Sequence, residues 1–307
     1  MEIKKPEYIV TIAEERSVTR AAARLYLTRP ALSHYLLALE SELGAPLFRR
    51  TRSGLEPTEL GEAYIRGAQR VLDAVRQTQK ELDDINGCVS GTLRIGITLG
   101  SGAMMFNSIF PKFHERYPGF DIRLLEGNSR ELEQSLLRGS IDFAVMGRAT
   151  ELDDLEYISF CKTEIFLLLP RGHRLSHLAA PPGQPRTSLD LRELRDDAFI
   201  LLHPDTVVGG ISERCFRRYG FVPRRILECS LNNMAYNMVK AGLGPAFVIG
   251  SQIAARDDLP CFSLDPREYW WISVAHRHGT RFSLAERYFQ QLVREYYDSN
   301  LPFSYGL

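Results

Sequence analysis

Apolar residues recur at helical spacing along the first part of the chain. The pattern predicts a first helix over 6–15, a second over 18–25 and a third over 29–43. In the third helix, one face carries Leu32, Leu36, Leu39 and Leu43. Only three residues, 26–28, separate the second helix from the third, and Thr28 is placed to cap the third. Two short helices joined by so tight a turn are typical of a helix-turn-helix.

A short β-hairpin is predicted after the third helix. An apolar pair at 47–48 precedes three arginines, Arg49, Arg50 and Arg52, and the chain returns to an apolar side chain at Leu55. This order describes a small wing with the three arginines at its tip, where their guanidinium groups suit contact with phosphate. The wing follows the helix-turn-helix directly, and the two therefore form one candidate module.

Candidate DNA-contacting residues cluster at the start of the third predicted helix, on the face opposite these leucines. They are Thr28, Arg29, Pro30, Ser33 and His34. The N-terminal end of such a helix enters the major groove in helix-turn-helix proteins. There Arg29 can donate two hydrogen bonds to guanine, and Ser33 and His34 can contact a base edge or a phosphate. The alternative is a helical hairpin with a solvated polar face. Because the turn, the polar face and the basic wing occur together, binding to double-stranded DNA is favoured.

A long helix is predicted to begin after Thr58 and to end near residues 86–87. Alternating steps of four and three residues form a heptad seam along it: Tyr64, Ala68, Val71, Val75, Thr78, Leu82 and Ile85. The alternative is an amphipathic helix buried within one domain. A dimeric coiled coil is favoured because a two-fold axis can place two DNA-contacting helices one turn of DNA apart, about 34 Å. We therefore expect a DNA-binding domain over 1–58 and a linker helix over 59–89 that joins a homodimer.

Predicted strands and helices alternate beyond a predicted hinge at Ser90-Gly91. The first run contains strands over 93–97, 120–125 and 141–146, with helices between them. This βαβαβ order implies a parallel sheet with right-handed crossovers. A second run contains strands over 164–169, 199–202, 225–228, 245–249 and 270–275, with helices over 210–218, 234–240 and 283–297.

Two such α/β lobes, joined by two chain crossings, describe a bilobal ligand-binding domain over 90–307. Its expected fold is similar to that of periplasmic solute-binding proteins. We expect lobe I over about 91–161 and 268–307, and lobe II over about 162–267. The whole chain is therefore predicted to combine a winged helix-turn-helix, a long linker helix and a C-terminal bilobal α/β domain.

Ligands in open α/β sheets bind beyond the carboxyl ends of the strands, in the crevice between units. Here those ends carry glycines, hydroxyl groups and helix starts, a combination that favours a small anion, typically a carboxylate. The alternatives are that Ser101 and Asn128 only cap helices and that Arg148 is a surface residue. The candidate effector-binding residues are Thr98, Gly100, Ser101, Asn128, Ser129, Arg148, Thr206 and Phe247.

Length and charge narrow the class of protein. The chain has 307 residues and a formal net charge of zero, which suits two domains and excludes a polycation. Residues 1–58 hold nine lysines and arginines and seven acidic residues, a net charge of +2. Affinity for DNA must therefore come from local placement of charge and from dimerisation.

Five scattered cysteines without a CxxC pair are typical of a reducing cytoplasm. The chain begins without an apolar segment, and no apolar run approaches the roughly 20 residues of a membrane span. We therefore expect a soluble, cytoplasmic protein with no membrane partner. His173 and His177 have the spacing of a metal pair, but no helix and no third ligand accompany them. With no catalytic motif either, no enzyme activity, metal or cofactor is predicted.

The N-terminal stretch AEERSVTRAAARLYLTRPALSHYLLALESELGAPLFRRT, followed by PTELGEAY, resembles the LysR-type transcriptional regulators. The resemblance is specific over about the first 65 residues and continues more loosely to the C-terminus. It departs from the usual family pattern at Arg29 and at His34-Tyr35, so the family is favoured while the operator sequence stays open. The resemblance implies DNA binding as a dimer or a dimer of dimers, a small-molecule effector bound on the strand-end loops, and transcriptional regulation.

Peroxide-sensing relatives of that family carry a redox cysteine pair in the second lobe. Cys215 and Cys229 fall in this region, but we interpret them as buried structural cysteines because no neighbouring thiol lies in the loop between them. Two other functions share the bilobal fold, a cytoplasmic solute-binding protein and an enzyme. The presence of residues 1–85 counts against the first, and the lack of a catalytic motif counts against the second.

Overall fold

Two units make up the chain, residues 1–88 and residues 89–307. The computed structural model describes residues 5–87, 90–181, 184–253 and 258–300. No helix within these ranges combines the length and the apolar character needed to cross a bilayer.

The first unit contains four helices and one hairpin among its described residues, in the order predicted from the sequence. The elements are α1 (Pro6–Glu15), α2 (Val18–Arg24), α3 (Arg29–Leu43), β1 (Phe48–Thr51), β2 (Gly54–Pro57) and α4 (Glu59–Ile85).

Side-chain caps set the starts of three of these helices. The Ser17 hydroxyl accepts a hydrogen bond from the Arg20 N–H at 3.3 Å, and the Thr28 hydroxyl accepts one from the Ala31 N–H at 3.4 Å. Thr58 caps α4 in the same way and also donates to the Pro46 carbonyl. Each cap satisfies an N–H that the helix itself leaves free. The predicted cap at Thr28 is confirmed.

The wing is an antiparallel hairpin in which Arg49 pairs with Glu56 and Arg50 with Leu55. The prediction that three arginines lie at its tip is wrong in detail. Arg49 and Arg50 lie on the strand β1, and only Arg52 lies in the turn. The turn is shorter than the sequence pattern indicated because strand pairing continues to Thr51.

The linker helix α4 changes character along its length. Tyr64 and Ala68 are buried against the rest of the unit, with exposures of 6% and 0%. Farther along the same seam Val75, Leu82 and Ile85 are exposed by 63%, 49% and 80%. The first half of the seam therefore belongs to the core of the first unit, and the second half presents exposed apolar side chains.

The second unit is built on a six-stranded sheet with the order β4-β3-β5-β10-β6-β9 and a separate parallel pair, β7-β8. Its strands are β3 (Ser90–Thr98), β4 (Gly119–Gly127), β5 (Phe143–Arg148), β6 (Leu155–Leu168), β7 (Ala198–Leu202), β8 (Arg224–Cys229), β9 (Ala246–Ile249) and β10 (Cys261–Arg277). Its helices are α5 (Ser101–Arg116), α6 (Ser129–Leu137), α7 (Val207–Tyr219), α8 (Asn232–Lys240) and α9 (Leu284–Asn300). Strands β3, β4 and β5 are parallel, as predicted.

Two predictions fail in this unit. Ser90 and Gly91 are not a hinge, because they are the first residues of β3 and pair with Gly119 and Phe120. The two strands that carry the chain from one lobe to the other are also much longer than predicted, since β6 spans 14 residues and β10 spans 17. They run antiparallel with a register shift between Ile272 and Ser273, which breaks the alternation that sequence patterns depend on.

Helix α9 returns to the first lobe, as the sequence suggested. Phe289 on α9 lies 5.6 Å from Phe113 of α5 and 5.6 Å from Phe143 of β5, measured between ring centroids. All three rings are fully buried. This aromatic contact fixes the C-terminal helix against the strands whose ends carry the candidate ligand loops.

The first turn of α7 offers a matched pair of substitutions. A Cβ atom at Gly209 would lie 2.1 Å from the His203 carbonyl oxygen, whereas one at Gly210 would have the Pro204 carbonyl oxygen at 3.5 Å. We expect Gly209→Ala to lower the free energy of unfolding by about 1–3 kcal/mol because the turn must open. Gly210→Ala should raise it by up to about 1 kcal/mol through helix propensity.

Urea denaturation followed by tryptophan fluorescence measures both changes. The only two tryptophans of the chain, Trp270 and Trp271, lie in β10 and report on the second unit alone. Equal destabilisation by the two substitutions would contradict the close approach at Gly209.

Candidate functional site

The helix α3 presents one outward stripe opposite its buried leucines. The outward stripe consists of Pro30, His34, Leu37 and Ser41, which follow one another by three or four residues and are all exposed. Leu32, Leu36 and Leu39 on the other side are exposed by 8% or less.

The five residues predicted to contact DNA from this helix divide into three groups. Arg29, Pro30 and His34 are exposed, whereas Ser33 is half-buried at the edge of the stripe. The Thr28 hydroxyl is engaged as the helix cap. The structure therefore brings Arg29, Pro30 and His34 together on an accessible surface at the start of the helix.

The three arginines of the wing are not equivalent. Arg49 pairs with Glu56, with 3.3 Å between the guanidinium and carboxylate groups. Arg50 and Arg52 are exposed and form no ion pair with another residue in the described part of the chain. Two of the three arginines predicted to contact phosphate, Arg50 and Arg52, are therefore free to do so.

Helix α3 and the wing are tied together by one carboxylate. Glu40 accepts hydrogen bonds from the backbone N–H groups of Leu47 and Phe48 at 2.7 and 3.3 Å. Gly61 lies against the same connection, because a Cβ atom there would be 1.9 Å from the Leu47 carbonyl oxygen. Helix, wing and the start of α4 therefore form one packed surface.

Four helices of the second unit begin at one cleft. The starts of α5, α6, α7 and α8 surround a cavity of about 290 Å³. The β3–β4 register pairs Thr98 with Gly127, so the loops that lead to α5 and α6 leave the sheet side by side. The cleft is lined by Thr98, Leu99, Gly100, Met104, Gly127, Asn128, Ser129, Glu131, Gly147, His203, Asp205, Thr206, Val207, Val208, Ser230, Leu231, Asn232, Asn233, Ile249, Gln252 and Trp270.

The four helix starts differ in how their free N–H groups are satisfied. Asn128 and Glu131 form a capping box on α6, and the Thr206 hydroxyl accepts from the Gly209 N–H on α7. The starts of α5 and α8 have no side-chain cap. The backbone N–H groups of those two first turns are therefore the donors that a bound group can use.

Five of the predicted effector residues line the cleft: Thr98, Gly100, Asn128, Ser129 and Thr206. Two of them also cap helices: Asn128 caps α6 and Thr206 caps α7. For Asn128, a helix cap was the alternative role that the sequence left open. The Ser129 hydroxyl donates to the Gly147 carbonyl at 2.6 Å and so connects α6 to the end of β5. The side chain of Ser101 lies outside the described residues.

Arg148 does not reach the cleft, and it is not a surface residue either. Its side chain is 9% exposed, and its guanidinium group donates to Ser273 at 2.9 Å and Ser159 at 2.8 Å. It also pairs with Glu151 at 2.6 Å and lies over the ring of Trp271. The register pairs Arg148 with Trp271, which directs the guanidinium along the sheet surface and away from the strand ends.

Phe247 is also outside the cleft. It is 3% exposed and its ring lies 5.5 Å from that of Phe216 in the core of the second lobe. The position of β9 that does line the cleft is Ile249, two residues farther along the strand. Side chains two positions apart lie on the same face of a strand, so the prediction chose a residue on that face but too far from the carboxyl end of β9.

The sequence analysis missed the start of α8. Ser230, Leu231, Asn232 and Asn233 line the cleft, and the Asn232 side-chain oxygen accepts from the Ile249 N–H at 3.2 Å. The signal was present, because these small and amide residues stand between a strand and a helix just as Asn128 and Ser129 do. Trp270 was missed as well, and its indole leaves no room for a side chain at Gly147, where a Cβ atom would be 2.0 Å from the indole nitrogen.

The formal charge of the cleft is negative. Glu131 and Asp205 are its acidic residues, and neither lysine nor arginine is among its described lining residues. Glu131 is engaged in the capping box, and Asp205 lies 3.6 Å from the His203 ring nitrogen. A ligand anion would therefore be held by backbone N–H groups, amides and hydroxyls.

The histidine pair and the cysteines have local roles. His173 contacts Asp197 at 3.1 Å and His177 contacts the Arg174 carbonyl, so the two rings do not converge. Across the described residues, no group of three or more histidine, cysteine, aspartate or glutamate side chains is placed to hold a metal ion. Burial raises the pKa of the Cys215 thiol to about 11 and also raises the pKa of Cys229.

Two family models match the sequence. Residues 3–62 match the bacterial regulatory helix-turn-helix protein of the lysR family, and residues 86–298 match the LysR substrate binding domain. The chain belongs to the LysR family. It is therefore a DNA-binding transcriptional regulator with a substrate-binding domain.

Individual relatives agree with this assignment. The regulator CfxR of Cupriavidus necator is 28% identical over 310 residues, which cover 99% of this chain and 94% of CfxR. A probable RuBisCO transcriptional regulator of Porphyra purpurea is 32% identical over 254 residues, 81% of this chain and 78% of its own. Both relatives are described as transcriptional regulators.

A solved structure supports the fold. Full-length OxyR from Pseudomonas aeruginosa, in a cysteine-to-aspartate variant, has a TM-score of 0.66 at 22% identity and covers 99% of this chain and 96% of its own. The winged helix-turn-helix, the linker helix and the bilobal domain are thus the LysR architecture.

The raised pKa of Cys215 predicts that its thiol reacts slowly with alkylating reagents. At pH 8, well below a pKa of about 11, almost all of this thiol stays protonated, and its 2% exposure excludes reagents. We expect alkylation of Cys215 by iodoacetamide in the native protein to be at least ~100-fold slower than in urea, because both the thiolate fraction and access are reduced. Peptide mass spectrometry of timed samples measures the ratio. Native and unfolded rates within a few-fold of each other would refute the assignment of Cys215 as an inert core residue.

Proposed function

We propose that this LysR regulator binds double-stranded DNA as a homodimer joined through α4, that dimers associate into tetramers, and that the cleft binds a small organic anion, typically a carboxylate. The observation that carries the effector assignment is the meeting of four helix N-termini in one cleft. DNA contact is assigned to Arg29, Pro30, Ser33 and His34 on α3, and to Arg50 and Arg52 on the wing.

The anion assignment follows from the charge distribution of helices. Each helix start carries a partial positive charge and unsatisfied N–H groups, and both favour a carboxylate. Helices α5 and α8 lack side-chain caps, so their first turns offer these donors directly. A cavity of about 290 Å³ suits a molecule of a few carbon atoms. Because the described residues that line the cleft include no arginine or lysine, recognition depends on the geometry of neutral donors.

The dimer assignment rests on the uncovered half of the α4 seam. Val75, Leu82 and Ile85 are large apolar side chains at heptad positions, exposed by 63%, 49% and 80%. Burying such a stripe against the same stripe of a second copy removes it from water and creates a two-fold axis. A two-fold axis presents two α3 helices to one face of a duplex.

The effector regulates by preferring one arrangement of the two lobes. A tenfold difference in affinity between two arrangements shifts their equilibrium by about 1.4 kcal/mol. The loops that line the cleft come from both runs of strands, so a molecule that contacts α5 and α8 together distinguishes an open from a closed arrangement.

Three arginine substitutions separate base contact from phosphate contact. We expect Arg29→Ala to reduce discrimination at one base pair by roughly 1–3 kcal/mol, because a bidentate contact to guanine is lost. Arg50→Ala should weaken binding to all sequences alike and reduce the slope of affinity against salt by about one. Arg49→Ala is the matched control, since Glu56 already neutralises that guanidinium. Gel-shift titrations over a salt series, with a site selected from random DNA, measure these effects. Identical behaviour of Arg29→Ala and Arg50→Ala would overturn the division between helix and wing.

An isosteric charge change tests the anion site. Asn233 lies in the first turn of α8 and lines the cleft, whereas Asn237 lies one turn later and is exposed. In a thermal-shift screen of small carboxylic acids with their amides and amines, we expect the acids to stabilise the wild type. Asn233→Asp should weaken this binding about tenfold or more through like-charge repulsion, while Asn237→Asp should leave it unchanged. Stabilisation by amines or amides but by no acid would refute the anion assignment.

A further inference from the structure

An unexpected apolar side chain lies in the middle of the outward stripe of α3. Leu37 is 65% exposed and is flanked along the stripe by His34 and Ser41. The other leucines in the middle of the helix, Leu32, Leu36 and Leu39, are exposed by 8% or less. Leu37 is therefore the large apolar residue that α3 turns away from its own core.

Leu37 does not pack in the core of the first unit. It is absent from the hydrophobic cluster that packs α1, α2, α3 and the wing, which uses the opposite face of α3. A single exposed leucine is common on protein surfaces and requires no explanation by itself. Its position is informative because the same stripe belongs to the helix that enters the major groove in this family of DNA-binding folds.

The outward stripe itself, Pro30, His34, Leu37 and Ser41, contains no acidic residue. Glu40, the nearest acid along the helix, is turned toward the wing and accepts hydrogen bonds from Leu47 and Phe48. The middle of the stripe is thus neutral. The positively charged residues are Arg29 at the start of α3 and Arg50 and Arg52 on the wing. This distribution suits a surface whose edges face phosphates and whose centre faces bases.

The major groove offers one apolar group at a base edge of ordinary DNA, the C5 methyl of thymine. We propose that Leu37 contacts the methyl group of a thymine in each operator half-site, and that this contact makes the A·T pair a determinant of sequence specificity. The proposal rests on the assignment of α3 as the helix in the major groove. It adds a base-reading residue beyond the polar side chains of the same helix.

Replacing thymine by deoxyuridine isolates the contact, because the two bases differ only in the methyl group and pair identically with adenine. We expect a site selected from random DNA to contain at least one thymine per half-site whose replacement weakens wild-type binding about three- to fivefold, the effect of removing one buried methyl group. Replacement at the other thymines should change affinity less than twofold, within the scatter of such measurements.

The variant Leu37→Ala links the effect to this side chain. It removes an exposed group, so the fold and salt dependence should be retained, and the variant should bind the thymine and deoxyuridine sites equally. The matched control is Ser41→Ala on the same stripe, which should keep the wild-type penalty for deoxyuridine. Circular dichroism and binding to the unmodified site establish that each variant is folded.

Three results would overturn the proposal. The first is selective wild-type binding with no penalty for deoxyuridine at any thymine, and the second is a penalty that persists unchanged in Leu37→Ala. The third is a loss of the penalty in Ser41→Ala as well. A failure of α3 as the groove helix is distinguishable from all three, because substitutions at Arg29 and Leu37 would then both leave sequence selectivity unaltered.

Discussion

The pairing of β6 with β10 is the interaction on which the effector-binding unit depends. These two strands run antiparallel from Leu155–Arg277 at one end to Leu168–Cys261 at the other, and no other described strands of the unit are as long. β5 is hydrogen-bonded to the first-lobe half of β10, and β9 to the second-lobe end of β6. Both lobes therefore share one backbone ladder, and the register shifts at Ser263–Glu268 and Ile272–Ser273 let that ladder bend where the lobes meet.

The same ladder explains why the cleft is made of helix starts. Parallel strands that end at the same edge of a sheet send their chains into helices whose N-termini face that edge. With two such runs attached to the shared strands, four first turns face one space. The described residues that line the cleft include no lysine or arginine, and its two carboxylates, at Glu131 and Asp205, are engaged by a helix cap and by the neighbouring His203 imidazole.

Local signals made the first unit predictable from sequence. Ser17, Thr28 and Thr58 cap their helices through contacts within three residues. The spacing of Leu32, Leu36 and Leu39 marks the core face of α3 without reference to distant parts of the chain. The cleft was only partly predictable because it depends on strand register. Arg148 and Phe247 stand near strand ends in the sequence, yet pairing with Trp271 and packing against Phe216 take their side chains elsewhere. Phe247 and Ile249 share one face of β9, so only the assembled sheet shows that the cleft is lined by Ile249 at the end of the strand and not by Phe247.

The two hydrogen bonds from Leu47 and Phe48 to Glu40 have a consequence for the operators that this regulator accepts. They lock the wing to α3, so in the proposed mode of DNA binding the distance between the base edges contacted by α3 and the sugar–phosphate chain contacted by the wing is fixed by the protein. Variation in half-site geometry must then be absorbed by bending or twisting of the duplex. Sequences that deform easily gain an advantage at positions that no side chain touches.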